Sequence, residues 1–478
     1  MTQPSPPVEG SRVGIGRASR WWLPAAVAVV GFCWFGALSI GRWNDGHVAN
    51  YDLGIFAQGA QSWAHGHLPV SHIRGMRLLG DHFSPILVIW GGLWWLWPDP
   101  RVLLLTQTVL LAATLTLIVA VAQRRIGTRA AVAIAVIGLL SRGVLTADLY
   151  DVHEVAFAAP AVAILCVALL RRDFRWCVMA SVALVLTKED LGLTVLAAGG
   201  CWWLLNRRDG WRKPFILLLI GVLGLLTAMV VIAHFSGGGQ SGYLGYFGSG
   251  GPRGMTTPAD HSITPLRLLP VALFLATTMI VGCRSVLALL AVPTLLWRAV
   301  SSNEHYWSLD FHYDLVLWPI ALLAFVDAVQ RHGLPRARSV LGVLAGVGVV
   351  TNVALGVWEV RLKAATPAQT LATAPVVRAI QRLAAEHVPA GARIGTQNDV
   401  GAYLVARYDV YSLHPGPSPT VGYAMFTSED TWAFPLPVCA RDALTAKGRS
   451  TPGWQVWQDG TVTLVKFASV QVAPVTCR

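Results

Sequence analysis

The feature that most constrains this chain is the apolar run from Trp21 to Gly41, about 20 residues without a charge, followed by further runs of the same character. A run of that length crosses hydrocarbon as a helix, because only a helix or a closed barrel satisfies its own backbone polar groups there. Further spans lie roughly at 102–123, 130–146, 155–170, 176–187, 191–205, 214–234, 266–282, 286–300, 314–330 and 339–358. The expected fold class is therefore mainly α, a polytopic transmembrane bundle of about eleven helices. Composition agrees: 54% of the 478 residues are hydrophobic and 13% charged.

The formal charge of +12 would suggest nucleic acid in a soluble chain. Here arginine gathers in short segments between apolar runs, such as Arg124–Arg125–Arg129, "RRDFR" at 171–175 and "NRRDGWRK" at 206–213. Cytoplasmic loops carry this bias, so the charge reports topology and argues against a nucleic-acid partner. It places residues 1–20 as a cytoplasmic tail, residues 21–358 as the membrane domain, and the C-terminal segment outside. The first run reads as an uncleaved helix, since it ends in "SIGRWNDGH" rather than in a small-residue cleavage site. The stretch 84–97, apolar but only about 14 residues, reads as re-entrant or interfacial.

With this topology most acids and histidines fall outside, in the outer loops 42–101 and 235–265 and at outer helix ends. An ionisable group at membrane depth is costly and is a functional candidate by default. Four segments concentrate them: "NYDLGIFAQ" at 50–58, "GDHFSPIL" at 80–87, "LYDVHEVAF" at 149–157 and "LTKEDLGL" at 186–193.

In these four segments the sequence resembles a bacterial family of polytopic membrane proteins known only as a domain of unknown function, number two thousand and seventy-nine. That family in turn resembles the GT-C glycosyltransferases, among them protein mannosyltransferases and arabinosyltransferases. The resemblance implies a GT-C-like bundle whose first outer loop carries a catalytic acid, moving a sugar from a polyprenyl-phosphate donor to an extracytoplasmic glycan, lipid or protein. Asp52 sits where that acid belongs, with Tyr51 beside it as a substrate contact. Attack by an acceptor hydroxyl needs a carboxylate base within hydrogen-bond reach. The leaving phosphate needs cations, for which Lys188, Arg74 and Arg77 are available. Asp81, Glu189 and Asp190 are acid or metal groups. With His82, these three acids offer oxygen and imidazole ligands for a divalent cation, Mg or Mn, although no Asp-x-Asp or Glu-x-Asp pair is present. Asp151, His153 and Glu154 are expected on the acceptor side, with His312 and Tyr313 lining the cavity.

Each position also has a purely structural reading. Asp52 fits the first turn of a helix capped by Asn50. "KED" fits a neutralised turn in which Lys188 pairs with a neighbouring acid, and "YDVHEV" fits a solvated loop. "HYWSLDFHYDLVLWP" at 305–319 reads first as an interfacial aromatic belt. The Gly- and Ser-rich outer loop at 234–262 reads as a flexible segment or a lid.

Residues 359–478 change character and predict a small extracytoplasmic α/β domain. "TAPVVRAIQRLAAEHVP" has helical spacing with Val376, Val377, Ile380, Leu383 and Ala384 on one face. "ARIGTQN" and "DVYSLH" read as strands flanking a helix near 400–406, and "GWQVWQDGTVTLVKF" as a hairpin turning at Asp459 and Gly460. Of seven cysteines only Cys439 and Cys477 fall in this domain, where oxidation is permitted, so they are expected to form a disulfide. Two other functions remain compatible with the sequence: a transporter or flippase of a lipid-linked glycan, and a non-catalytic envelope scaffold.

Overall fold

A computed structural model describes residues 21–236, 264–414, 419–428 and 435–473. The N-terminal tail, Cys477 and nearly all of the Gly-rich 234–262 loop lie outside the described residues. Five helices are long and apolar enough to cross a membrane: α1 (Trp22–Asp45), α4 (Arg101–Ile126), α10 (Arg212–Phe235), and the segments His312–His332 and Val340–Lys363. Two earlier helices, α2 (Ile55–Ala64) and α3 (Val88–Leu96), belong to the first loop. The expected span at 130–146 is instead a pair, α5 (Thr128–Leu140) and α6 (Arg142–Asp148), bent by 43° where Ser141 takes an extended conformation. The remaining spans are short apolar helices: α7 (Val155–Arg171), α8 (Phe174–Val185), α9 (Leu191–Leu205), Pro265–Thr277 and Val286–Val300. α3, with the 3-10 turn before it, makes a short apolar helix Pro85–Leu96, too short to cross.

The helix Leu317–His332 forms the centre of the bundle, with Trp318, Ile320, Leu322, Leu323 and Val326 all essentially inaccessible. Around it, buried charges missed at the level of sequence hold the segments together. Arg142, inside an expected span, meets Glu359 at 3.1 Å, and Arg298 meets Asp314 at 2.6 Å. Buried guanidinium–carboxylate pairs cost desolvation, and satisfying both partners offsets it.

The C-terminal domain carries a five-stranded mixed sheet in the order β4-β3-β5-β7-β6, from β3 (Arg393–Thr396), β4 (Asp409–Ser412), β5 (Thr420–Thr427), β6 (Gln455–Asp459) and β7 (Val462–Val472). A two-residue pairing in the first loop, β1 (Val70–Ser71) with β2 (Met76–Arg77), stands apart from it. The helix Pro375–His387 and the β6–β7 hairpin form as the sequence predicts. The helix expected near 400–406 is only a 3-10 turn at Gly401–Tyr403, and β5 and the helix Val438–Ser450 were not anticipated. β5 escaped because its residues are buried on both faces, which removes the polar–apolar alternation that marks a strand.

One apolar cluster joins this domain to the first loop: Trp43, Leu53, Phe56 and Trp90 pack in the same core as Ile380, Leu383, Val400 and Leu464. The loop is thus clamped between the bundle and the C-terminal domain. Cys439 is disulfide-bonded, and the five cysteines of the helices are free thiols.

Candidate active site

Chain direction reverses after α1 at Gly46, whose φ of 93° is open to glycine at little cost. The backbone then enters a five-residue π turn, Asn50–Gly54. Asn50 does not cap a helix. Its buried side chain donates to Thr396 Oγ1 at 2.8 Å and to the Gln397 carbonyl at 3.0 Å, while its own N–H reaches the Asn398 carbonyl at 2.7 Å. The N–H of Tyr51 meets Asn398 Oδ1 at 3.1 Å. The C-terminal domain therefore fixes the turn that presents Asp52, which lies in the first turn of this segment without an Asn50 side-chain cap.

The partner of Asp52 is His153, with Nε2 2.9 Å from Oδ1. His153 is buried, whereas the Asp52 side chain keeps 18% of its surface exposed and so stays reachable. The segment 149–154 holds its shape through Gln107 of α4, which donates to the Asp151 carbonyl at 2.6 Å and accepts from the His153 N–H at 3.3 Å. Asp151 adopts φ 59°, and its Oδ2 accepts the Ala49 N–H at 2.7 Å, tying this segment to the Asp52 turn. Burial is the main reason the Asp151 carboxyl is pushed up to about 7, with Asp52 adding to the shift and Arg42 opposing it. The His153 ring stacks on His312 at 3.5 Å between centroids, and Phe56 and Tyr150 close around it. Of His312 and Tyr313, read from sequence as belonging first to an interfacial belt, His312 is buried against His153, and half-buried Tyr313 packs beside it at 4.3 Å between ring centroids. The Arg298–Asp314 pair anchors their turn.

A second group lies beside it. Lys188 and Glu154 form a buried ion pair. His82 Nδ1 is 3.2 Å from Glu189 Oε1, and the Phe83 N–H donates to Glu189 Oε2 at 3.1 Å. Burial and Lys188 oppose the imidazolium of His82, but Glu189 and Asp81 outweigh them and raise its pKa. Arg74 grips Asp81 in a two-point bridge of 3.1 and 3.0 Å. Burial would raise the Asp81 carboxyl, yet His82 and Arg74 together hold it below its ordinary value. Asp190, whose Oδ1 has no hydrogen-bond partner among the described residues, is pushed up to about 6, mainly by burial.

These pairings test the ligand set Asp81, His82, Glu189 and Asp190. Asp81 is committed to Arg74 rather than facing Glu189, and among the described residues no three His, Cys, Asp or Glu side chains converge as a cation site. Arg77 lies apart, over the Phe235 ring at 5.6 Å.

Solved structures with a similar fold are those of ArnT from Cupriavidus metallidurans. The undecaprenyl-phosphate-bound form gives a TM-score of 0.55 at 15% identity, and the apo form 0.52 at 14%; each comparison covers 95% of this chain and 99% of that one. The arabinofuranosyltransferase AftD from Mycobacteria gives 0.49 at 16% identity, over 94% of this chain and 40% of AftD. No curated protein matches the sequence. At these identities the likeness concerns the fold, which is GT-C-like. A family model described as "Predicted membrane protein (DUF2079)" matches residues 47–414, more than three quarters of the chain, and the protein belongs to that family.

Proposed function

We propose that this protein is a GT-C-like glycosyltransferase that moves a sugar from a polyprenyl-phosphate donor to an extracytoplasmic acceptor, with Asp52 as the base. The observation that carries the reading is the reachable Asp52 carboxylate held 2.9 Å from buried His153 Nε2, next to the cationic groups Lys188 and His82. That ArnT was solved bound to undecaprenyl phosphate supports the donor class.

The acceptor oxygen attacks the anomeric carbon while the bond from that carbon to the phosphate oxygen breaks. The hydroxyl proton passes to Asp52, and the electron pair leaves on the polyprenyl phosphate. His153 Nδ1 has no partner among the described residues, so the tautomer protonated at Nε2 is the one that donates to Asp52 and fixes its orientation. Lys188, His82 and Arg74 lie where positive charge stabilises the departing phosphate. Arginines at the far end of α4 and α7 support a cytoplasmic assignment for that end and an extracytoplasmic one for the site and the C-terminal domain.

The test is transfer by purified protein in detergent with radiolabelled polyprenyl-phosphate sugars, comparing wild type with Asp52→Asn and Glu189→Gln. Turnover by wild type that Asp52→Asn abolishes while remaining folded supports the reading. Absence of turnover with every donor, with saturable binding unaffected by Asp52→Asn, moves the function to a transporter or a scaffold.

A further inference from the structure

At the other end of the bundle, α1, α4 and α7 enclose a groove of about 560 Å³ that has no part in the site. It begins where the tight contact of α1 with α4 ends, at Gly31 against Ala112. Its floor is made of small side chains, Ala28 from α1 and Ala113, Thr116 and Ala120 from α4. The only hydroxyl there, Thr116 Oγ1, is turned back onto its own helix at 2.7 Å from the Ala112 carbonyl, which leaves the surface apolar. The lining residues on α4 run from Val109 to Arg124, roughly 22 Å at the rise of a helix, enough to receive a full acyl chain.

The groove ends in charge. Arg124 and Arg171 line its mouth, both exposed, and among the described residues neither has a carboxylate partner. Arg124 lies over the Trp21 ring at 4.8 Å, which places an aromatic and a cation together, as at the headgroup level of a bilayer. The neighbouring Arg125 adds positive charge. Of the acids at this end, Asp327 is already shared between Arg125 at 3.8 Å and Arg331 at 2.9 Å, and Asp173 caps α8 by accepting the Trp176 N–H at 3.3 Å. Two unpaired guanidiniums above an apolar slot match a phosphate carrying an acyl chain, and the surplus charge disfavours a headgroup that brings its own ammonium.

We infer that this groove is a binding site for an anionic glycerophospholipid, with the acyl chain along the α1–α4 groove and the phosphate held between Arg124 and Arg171. Gln107, near the Asp52–His153 pair, is 17 positions before Arg124 on α4, about 25 Å away along the helix, so the phosphate end of the groove is remote from the candidate site. The site does not depend on the proposed reaction.

The experiment is native mass spectrometry of the full chain released from nanodiscs containing equal phosphatidylglycerol and phosphatidylcholine, with thermal unfolding recorded alongside. Wild type is expected to retain phosphatidylglycerol in preference to phosphatidylcholine by roughly tenfold or more, a preference lost in the double variant Arg124→Gln/Arg171→Gln. Both arginines are exposed, so this variant should unfold at the wild-type temperature when no lipid is added. A second variant, Ala113→Phe, fills the groove with both arginines intact and is expected to reduce retained lipid. Equal retention of the two lipids, unchanged phosphatidylglycerol in the double variant, or a lipid-free dimer in place of a lipid adduct would overturn the inference.

Discussion

His153 meets Asp52 through Nε2 at 2.9 Å while its ring lies flat against His312. One face of the imidazole is packed and one nitrogen is aimed at the carboxylate, which on the proposed reaction makes the histidine a positioning group for Asp52. His153→Ala should lower kcat roughly a hundredfold with little change in KM, at the small end of what acid–base groups supply. His153→Gln, which retains an N–H donor, should recover part of it. Steady-state kinetics over a range of pH separates the outcomes: a KM effect alone would assign His153 to binding.

The Lys188–Glu154 pair predicts a stability effect independent of turnover. Glu154 is 1% exposed, and Lys188→Met strands it, at a cost of about 3–5 kcal/mol. Lys188→Met combined with Glu154→Leu should regain most of that loss in thermal unfolding but no transfer activity. Recovery of both would make the pair purely structural.

Asn50 binds the Asp52 turn to the C-terminal domain. Asn50→Ala leaves the Thr396 hydroxyl and the Gln397 carbonyl without these partners and should cost about 1–3 kcal/mol. Hydrogen–deuterium exchange should show residues 48–54 and 395–399 losing protection together. Unchanged protection in either segment would mean that the domain does not anchor the turn.

Asp151 predicts a pH dependence. Its folded-state pKa of about 7 lies above the ordinary 3.8, so the folded protein binds this proton more tightly than the unfolded chain does. The resulting stability is complete below pH about 4 and is lost as pH rises through about 7. Asp151→Asn suits the left-handed φ of 59° and retains an acceptor for the Ala49 N–H, so it should flatten the decline. Melting curves in detergent from about pH 5 to pH 8.5 test this, and parallel curves for the two proteins would refute it.

The membrane bundle was legible in the sequence because length and apolarity of a segment are local properties, and hydrocarbon admits few backbone conformations. The four acidic segments stood out for the same reason, since charge beside apolar runs is expensive wherever it occurs. Local sequence also set the β6–β7 hairpin and the helix Pro375–His387. What it left open was which group meets which. Asp52 offered a first-turn role and a catalytic role with no local sign that it meets His153, and Asp81 was grouped with Glu189 although Arg74 takes it. Gln107, which shapes the 149–154 turn, lies in an apolar run with no local sign of its task. Pairings of this kind depend on how distant segments pack, and on a domain more than 300 positions later closing over the first loop. The chain's own order therefore determines where the spans and the candidate acids lie, and tertiary packing decides which of those acids stays half-buried beside a histidine and which are neutralised by a neighbour.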